Sequence, residues 1–390
     1  MHKHIAARME QIHYSGIRTI FESVKQLERQ GCPVIHLEIG QPDFDTPAHI
    51  KQAGYDALCK GQVQYTSNYG ILPLRRAIAS KLKRENDLIV DPETELIVTT
   101  GVSEAIMIAM MALLNPGDEV LVMEPWFPCY PMSARMAGAV PIPVPVHAVN
   151  NYQPLRADLE AAVTSRTKML VLTTPGNPTG TLFDLDTLKE LADFAIRHNL
   201  LVVADEIYEK LIYDGCKHIS IASLPGMRRR TLTLNGFSKS YAMTGWRLGY
   251  VAADKSLIQA LVRIHQYSVV CSTSFAQWGA VTALEGTQEP MRQMVKELNR
   301  RRMMLIEALN EIPNLSFCRP QGAMYVYVDV SQMTENACVL AEELLYCAHV
   351  AVVPWDSKHI RISYSTSYEN IKMAMEKIRR FFSCNMLLYC

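Results

Sequence analysis

The chain has 390 residues, of which 49% are hydrophobic and 20% are charged, and its formal net charge at pH 7 is zero. This length exceeds one small core and predicts one large domain or two unequal ones. A neutral chain is a poor candidate for binding nucleic acid through its phosphates, and no apolar run is long enough to span a bilayer. We therefore expect neither nucleic acid nor a membrane among the partners.

The N-terminal segment and the cysteines both favour a cytoplasmic protein. The segment "MHKHIAARMEQIHYSGIRTIFESV" is basic and amphipathic, without the continuous apolar core and cleavage site of a signal peptide. None of the ten cysteines forms a C-x-x-C pair, so neither a zinc site nor any other metal site is expected. Scattered free thiols suit a reducing cytosol. Each cysteine, from Cys32 to Cys390, is expected to be a small buried hydrophobe.

Apolar strands and helical segments alternate along most of the chain. The predicted strands are residues 95–100, 119–123, 169–174, "LLVVADE", 231–235 and "RLGYVAA". Continuous apolar strands separated by helices indicate an α/β fold with a mostly parallel sheet, covered on both faces. After about residue 280, a long charged helix over roughly 287–311 precedes "AMYVYVDV", a helix, "VAVVP" and "HIRISYS". This change indicates a smaller α+β domain, and we expect the N-terminal arm to pack with it.

Glycine, hydroxyl, aromatic and amide residues follow the first predicted strands, where parallel sheets bind ligands. Gly101 permits a tight turn, and Ser103 stands near a helix N-terminus that favours an anion such as phosphate; a simple helix cap is the alternative. Phe127 lies in the aromatic loop "EPWFPCY", where a ring either stacks on a flat ligand or joins the core. The turn "TTPGNPTG" is either a plain turn or one that presents the Asn177 amide to a ligand oxygen.

Charged residues in buried surroundings are more informative, because an unpaired buried charge is costly. Asp205 closes a buried strand and needs a cationic partner, unless it is a structural cap. Tyr208 lies on the same side if a helical turn begins there. In "NGFSKSYAMTGWRLGY", Lys239 is either a surface charge or a buried reactive amine, and Arg247 follows it. Arg361 in "HIRISYS" predicts a bound carboxylate or an internal salt bridge.

The order of these residues resembles that of the fold-type I pyridoxal-phosphate enzymes, and the chain is similar to the class I/II aminotransferase family. The stretches "PGNPTG", "ADEIYE" and "SKSYAMTGWRLGY" carry the resemblance best, and it extends from "SGIRTIFE" to "IRISYSTS". It implies a large domain, residues 45–283, with a mostly parallel seven-stranded sheet flanked by helices. Residues 1–44 with 284–390 would form the smaller α+β domain, which includes the N-terminal arm.

The resemblance also implies roles around pyridoxal 5'-phosphate. Lys239 would hold the cofactor as a Schiff base and then move protons on the substrate carbon. Asp205 would pair with the pyridinium nitrogen, so that the ring accepts electrons. Asn177 and Tyr208 would hydrogen-bond the ring hydroxyl oxygen, and Phe127 would stack on the ring.

The phosphate and the substrate carboxylate would have their own contacts. The implied contacts on the phosphate side are Gly101, Val102, Ser103, Ser238 and Arg247. Tyr65 would reach the phosphate of the neighbouring subunit, which implies a homodimer with shared active sites. Arg361 and Asn177 would bind the substrate α-carboxylate, with a backbone N–H from Gly40.

Two departures from the family pattern stand out. Gly236 occupies a position where many members carry a serine or threonine that contacts the phosphate. Between Pro354 and Arg361 only residues 355–360 remain of a longer glycine-rich loop that helps to close the substrate pocket. We therefore expect an altered or more open substrate site. If this short loop points inward, Asp356 would attract a cationic substrate side chain; a solvated loop aspartate is the alternative.

The leading functional prediction is an aminotransferase that moves an amino group between an L-amino acid and a 2-oxo acid. The alternative is a pyridoxal-phosphate-dependent lyase or cyclase on the same scaffold, which acts on a specialised amino acid. A regulator that uses the fold as a sensor is disfavoured, since the chain begins with the family's N-terminal arm and has no basic patch.

Overall fold

The computed structural model describes residues 4–386 of the chain. The α-helices are α1 Gly16–Arg29, α2 Ala48–Cys59, α3 Leu72–Glu85, α4 Val102–Leu113, α5 Cys129–Met136, α6 Arg156–Ala162, α7 Leu185–Arg197, α8 Lys255–Ser268, α9 Ser274–Glu285, α10 Glu289–Asn310, α11 Ala337–Ala348 and α12 Tyr368–Met386. Short 3-10 helices occur at Ala7–Gln11, Ala148–Asn150, Ile221–Ser223 and Thr244–Trp246.

The strands form one large sheet and two small ones. They are β1 Ile35–His36, β2 Leu96–Thr99, β3 Glu119–Glu124, β4 Val140–Pro145, β5 Thr167–Thr173, β6 Leu201–Asp205, β7 Thr231–Gly236, β8 Gly249–Ala252, β9 Ser316–Phe317, β10 Tyr325–Asp329, β11 Val350–Ala351, β12 Val353–Pro354 and β13 His359–Ser363.

The central sheet has seven strands in the order β2-β8-β7-β6-β5-β3-β4. All neighbouring pairs are parallel except the two that involve β8, which runs antiparallel to β2 and β7. The segment between β7 and β8 contains a 3-10 turn and no α-helix, so the chain returns in the opposite direction without a helical crossover. The predicted mostly parallel α/β sheet is confirmed, and the antiparallel direction of β8 is new.

Both faces of the central sheet are covered, which explains why its strands are continuously apolar. Val171 of β5 packs in a core with residues of α4, α5 and α8. Its neighbours Leu170 and Leu172 point to the opposite face and pack with residues of α7. Burial on both faces fixes the strand register, and it aligns the carboxyl ends of β5, β6 and β7 along one edge.

The C-terminal part of the chain builds an antiparallel four-stranded sheet in the order β12-β13-β10-β9. Residues of α10, α11 and α12 pack with this sheet in one hydrophobic core. Strand β1 pairs in parallel with β11, so the N-terminal region joins this part of the molecule. The predicted boundaries, 45–283 and 1–44 with 284–390, stay a prediction, and their outermost residues 1–3 and 387–390 lie outside the described residues.

The N-terminal arm has two different neighbours. Helix α1 buries Ile20 and Val24 against Leu345 and Ala351, beside the C-terminal core as expected. The 3-10 helix before it instead lies against α5 of the central-sheet region, where Arg135 Nη1 donates a hydrogen bond to the Gln11 carbonyl oxygen at 3.3 Å. The two parts of the arm thus lie against different regions of the molecule, α1 beside the C-terminal core and the 3-10 helix beside α5.

The expectation of buried cysteines is wrong for the eight whose surroundings the structure describes. All eight are free thiols; Cys59, Cys338 and Cys347 are exposed and the other five are half-buried. Two of the exposed thiols, Cys338 and Cys347, lie on α11 at the two edges of its buried face. Cys390 lies outside the described residues. Within residues 4–386, no helix combines the length and apolar character needed to cross a membrane.

Candidate active site

A cavity of about 350 Å³ lies at the carboxyl ends of β5 and β6, beside the loop that follows β7. The sequence-predicted residues that line it are Gly40, Val102, Ser103, Phe127, Asn177, Asp205, Tyr208, Ser238, Lys239, Arg247 and Arg361. Gly101 lies directly behind this lining, against Arg247. Tyr65 does not line the cavity, and its side chain is 85% exposed. The fold therefore brings together all the predicted site residues except Tyr65.

Lys239 lies in the loop after β7 and extends into this cavity. Its side chain is half-buried, and its Nζ donates a hydrogen bond to the Gly40 carbonyl oxygen. Burial lowers the pKa of Lys239 to about 8, aided by the positive charges of Arg361 and Arg247 and opposed by Asp205. Such an amine has a substantial neutral fraction near neutral pH, and only the neutral form is a nucleophile. Lys239 is therefore a cavity-lining amine and not a solvated surface charge.

Asp205 ends β6 and faces the cavity with little solvent around it. Its Oδ2 accepts a hydrogen bond from the Tyr130 hydroxyl at 2.8 Å, and its Oδ1 accepts one from the Ile207 amide at 3.1 Å. Burial raises the pKa of Asp205 to about 6, against the effects of these two hydrogen bonds. No lysine or arginine among the described residues forms an ion pair with it. The cation that the sequence argument requires must therefore come from a ligand.

Tyr130 is a partner that the sequence argument missed. It stands 75 positions before Asp205, and it accepts a hydrogen bond from Thr173 Oγ1 at 2.6 Å while donating its own proton to the carboxylate. The sequence did place Tyr130 in the aromatic segment after β3, and β3 lies two strands away from β6 in the sheet. This position could have suggested a contact with Asp205.

An anion-binding corner forms where α4 begins. Gly101 has φ +77, and a Cβ there would lie only 2.5 Å from Arg247 Nη2. The absence of a side chain thus lets the guanidinium approach the N-terminus of α4, whose free N–H groups attract anions. Ser103 adds a hydroxyl on the cavity side. A phosphate fits this combination of a helix N-terminus, a hydroxyl and an arginine.

The glycine at position 236 has a steric reason. A Cβ there would lie 2.9 Å from the Leu248 carbonyl oxygen and 3.1 Å from Gly249 Cα. Both contacts are to the backbone of β8 and of the residue before it, so they cannot be relieved by a side-chain rotation. The Cβ of a serine or threonine at position 236 would clash where β7 and β8 come close together. Position 236 therefore offers no hydroxyl to a phosphate.

Arg361 lies on β13 and is 1% exposed. Its Nη1 donates to Asn177 Oδ1 at 2.9 Å and its Nη2 donates to the Glu38 carbonyl oxygen at 2.6 Å, while its Nε has no hydrogen-bond partner among the described residues. Its guanidinium carbon lies 4.3 Å from the ring centroid of Tyr325 and 5.3 Å from that of Trp355. None of the described carboxylates pairs with it, so the internal salt bridge is wrong. A buried, uncompensated guanidinium is suited to a ligand carboxylate.

Tyr208 and Tyr325 form a second pair that sequence reasoning found only in part. Their hydroxyls share a hydrogen bond of 2.8 Å, and the Lys239 Nζ lies 5.9 Å from the Tyr208 ring centroid. A Cβ at position 40 would lie 2.3 Å from the Tyr325 hydroxyl oxygen, so Gly40 is needed for the close approach. Tyr325 lies in the "AMYVYVDV" strand, and nothing in this mostly apolar stretch indicated a functional residue.

The short β12–β13 hairpin is closed by its own aspartate. Asp356 Oδ1 accepts hydrogen bonds from the amides of Lys358 and His359, at 2.7 and 2.9 Å, and Oδ2 accepts one from the Tyr327 hydroxyl at 2.8 Å. Asp356 does not line the Lys239 cavity, so its expected attraction of a substrate side chain there is wrong. Trp355, held by this turn, covers Arg361, so the shortened loop does not leave the arginine open.

A buried polar cluster lies behind the end of β6. Lys81 Nζ donates to Glu209 and Asn86, and Asn86 Nδ2 donates to Glu206 Oε2 and Glu209 Oε2 at 3.2 and 2.9 Å. Burial opposes ionisation of Glu209, but the positive charges of Lys81 and His218 outweigh it and lower its pKa to about 2. The ligand atoms of Glu206, Glu209 and His218 lie within 4.8 Å of one another. The Lys81 ammonium supplies the cation of this cluster.

A buried reactive lysine, an anion corner and a carboxylate-binding arginine at the edge of an α/β sheet define an enzyme that handles amines and carboxylates. Residues 33–378 match the family model for aminotransferase class I and II. The chain is 40% identical over 381 residues to an aspartate aminotransferase of Pyrococcus abyssi, covering 96% of this chain and 97% of the relative. It is 38% identical over 384 residues to aromatic-amino-acid aminotransferase 2 of Thermococcus litoralis, covering 96% and 97%.

Solved structures give the same result. The aspartate aminotransferase of Thermus thermophilus with maleate matches with a TM-score of 0.92 at 38% identity, over 97% of this chain and 100% of the other. The aromatic aminotransferase of Pyrococcus horikoshii matches with a TM-score of 0.89 at 39% identity, over 95% and 100%. The chain belongs to the class I and II aminotransferase family. It is a pyridoxal-phosphate-dependent transaminase, and no finding favours the lyase or cyclase alternative.

Proposed function

We propose that the cavity around Lys239 holds pyridoxal 5'-phosphate and an amino acid in the following arrangement. Lys239 would hold the cofactor through its Nζ, and the N-terminus of α4 with Arg247 would hold the phosphate. Asp205 would serve the ring nitrogen, Asn177 and Tyr208 would serve the ring hydroxyl oxygen, and Phe127 would pack on the ring. The observation that carries this proposal is the placement of the Lys239 amine in one cavity with the buried Asp205 carboxylate and the Arg247 and Arg361 guanidiniums.

The chain's own residues divide the work between binding and proton transfer. Arg361 orients the substrate through its α-carboxylate, with Asn177 and the Gly40 backbone beside it. The bound cofactor supplies an electron sink for the bond that breaks at the α-carbon. Lys239 Nζ takes the α-proton from the amino donor and, in the second half of the reaction, returns a proton to the α-carbon of the acceptor. This exchange requires an amine pKa close to the working pH. The Asp205 carboxylate would keep a proton on the ring nitrogen. A buried negative charge is stabilised by a positive partner, and the protonated nitrogen would be that partner.

The substrate class follows from the relatives. They are named for aspartate and for aromatic amino acids, so we propose acidic and aromatic L-amino acids as the donors. A screen of amino donors against one 2-oxo acid tests this class directly. Activity confined to small neutral or basic donors would contradict it.

We also propose a cytoplasmic homodimer. The eight described thiols are all free, which suits a reducing compartment. Tyr65 is exposed on its own chain, which suits a residue that completes the site of a neighbouring subunit.

The Lys239→Ala variant tests the proposed site. We expect it to lose both turnover and the visible absorbance of covalently attached cofactor, because no other described lysine lines this cavity. The exposed Lys296→Ala serves as the matched control and should keep both. Normal activity of Lys239→Ala would contradict the proposal. The reaction class is tested with amino acid in the absence of any oxo acid, where repeated turnovers would contradict simple transamination.

A further inference from the structure

A second cavity, of about 530 Å³, lies between the end of β3 and the β12–β13 hairpin. It shares no lining residue with the cavity around Lys239. Trp355 stands between the two: it lines the second cavity, and its ring lies 5.3 Å from the Arg361 guanidinium of the first. The second cavity is therefore adjacent to the active site and separate from it.

Four aromatic side chains form much of its wall: Trp126, Tyr152, Tyr327 and Trp355. Tyr327 makes edge-to-face contacts with Tyr152 at 5.8 Å and with Trp355 at 6.5 Å, which fix the orientations of three of the rings. Tyr152 has φ +56, an uncommon backbone conformation for an aromatic residue. Aromatic ring faces attract cations, most strongly where water is displaced.

The charged residues of this cavity are the carboxylates of Glu124 and Asp356, and no lysine or arginine lines it. Asp356 is engaged in the hairpin, whereas the Glu124 carboxylate has no hydrogen bond or ion pair with any described residue. Glu124 is exposed to solvent at the rim of the cavity, and partial desolvation with the nearby Asp356 charge raises the pKa of its carboxyl.

The two histidines of the wall have other partners. His359 Nδ1 bonds Asp356 at 2.9 Å, and its ring stacks on Tyr327 at 4.5 Å. His147 Nε2 lies 3.5 Å from Asp158 Oδ2. Neither ring forms an ion pair with Glu124, so the cavity combines aromatic faces with one unpaired carboxylate.

We propose that this second cavity binds a small organic cation, an ammonium group with an apolar body. Its charge would face Glu124, and its methyl or methylene groups would contact Trp126 and Trp355. Aromatic rings and carboxylates together recognise alkylammonium groups, whereas an anion would be repelled by both. This site goes beyond the transaminase reaction, since it lies outside the Lys239 cavity.

Calorimetric titration of the cofactor-loaded protein with choline chloride tests the proposal. Choline lacks a primary amine and therefore cannot take the place of an amino donor. The matched ligand is 3,3-dimethyl-1-butanol, which has the same shape without the charge, and sodium chloride keeps the ionic strength equal. We expect choline to bind at least roughly tenfold more tightly than the neutral alcohol, the factor that a desolvated cation–π contact supplies.

Variants locate the bound cation. Glu124→Gln should weaken choline binding by up to about fivefold, because it removes the charge of an exposed carboxylate and keeps the side-chain shape. Glu307→Gln, an exposed position on α10 remote from this wall, should leave it unchanged. Transamination should be unaffected by either change, since neither residue lines the Lys239 cavity.

Three results would overturn the proposal: no choline binding, equal binding of choline and the neutral alcohol, or choline binding that Glu124→Gln does not weaken. The comparison of the two ligands uses the wild-type protein and does not depend on a variant that folds. Because choline is not a substrate, failure of this test would leave the proposed aminotransferase site untouched.

Discussion

Lys239 and Asp205 carry opposite charges, and burial in one cavity acts on both in the same sense. Each pKa moves towards the neutral form of its group: the lysine to about 8 and the aspartate to about 6. Their mutual attraction opposes both shifts and is too weak to cancel them. The two groups are thus held in an environment that would become more favourable once a ligand supplied a compensating charge.

A pH dependence of stability follows for the cofactor-free protein. The pKa of Lys239 is about 8 when folded and 10.5 in its ordinary state, so between these values the unfolded chain binds more protons. Stability should then rise with pH across this window, whereas below pH 8 the destabilisation by the charged Lys239 is fully present and independent of pH. Relative to Lys239→Met, the wild type should gain up to about 3 kcal/mol.

Urea unfolding of both cofactor-free proteins at a series of pH values from neutral to alkaline measures this difference. Taking the difference removes the titrations of the tyrosines and cysteines that the two chains share. A constant gap at all pH values would show that Lys239 keeps an ordinary pKa in the folded chain.

At the scale of elements, the β12–β13 hairpin places an aromatic ring against the buried Arg361. Asp356 closes the turn through Tyr327 and two backbone amides, and this places the Trp355 ring over Arg361. The Tyr325 ring lies 4.3 Å from the same guanidinium carbon, so the guanidinium contacts two rings. The hairpin thus contributes one of the two aromatic contacts of Arg361.

Removal of that ring should weaken substrate binding. We expect Trp355→Ala to raise the KM for the amino acid by about fivefold to thirtyfold with a smaller change in kcat, since a desolvated cation–π contact contributes about 1–2 kcal/mol. Trp355→Phe keeps a ring and should stay close to wild type. Steady-state kinetics of the three proteins with one donor measure the split, and a loss confined to kcat would contradict this role.

The secondary-structure elements differ in how well they could be predicted from the sequence. The strands of the central sheet could be predicted because burial on both faces makes them continuously apolar. Lys239, Asp205 and Arg361 could be singled out because charged residues are rare in such apolar surroundings. The antiparallel return of β8 could not, since an apolar run has the same pattern in either direction. The closure of the hairpin depends on the Tyr327 hydroxyl, 29 residues away from Asp356, a contact that requires the register of β10 and β13.

For the whole molecule, the position of Tyr65 raises the question of a shared site. Its side chain is exposed, while the neighbouring segment is tied to the start of the α8–α9 connection through Asn68 Nδ2, which donates to the Val270 carbonyl oxygen at 2.7 Å. A tyrosine held on a fixed surface, outside its own cavity, can act in a second copy of the chain.

Complementation between two defective variants tests the shared site. We expect Tyr65→Ala and Lys239→Ala each to be impaired alone, and their mixture after subunit exchange to recover about a quarter of the wild-type activity, since half the dimers are hybrids with one intact site each. If Tyr65 acted within its own chain, every hybrid site would carry a defect and no activity would return. Wild type mixed with Lys239→Ala provides the control for exchange.

The cluster of Lys81, Asn86, Glu206 and Glu209 also affects how the neighbouring strand end receives its ligand. These side chains join α3 to the end of β6, so the backbone that carries Asp205 is fixed by contacts that form when the chain folds. The conformational entropy of that wall is therefore lost during folding and not at the moment of association. The cofactor-free and the cofactor-loaded protein should then have the same structure at this end of the sheet. The heat of cofactor binding should therefore come mainly from new contacts and little from rearrangement of the protein.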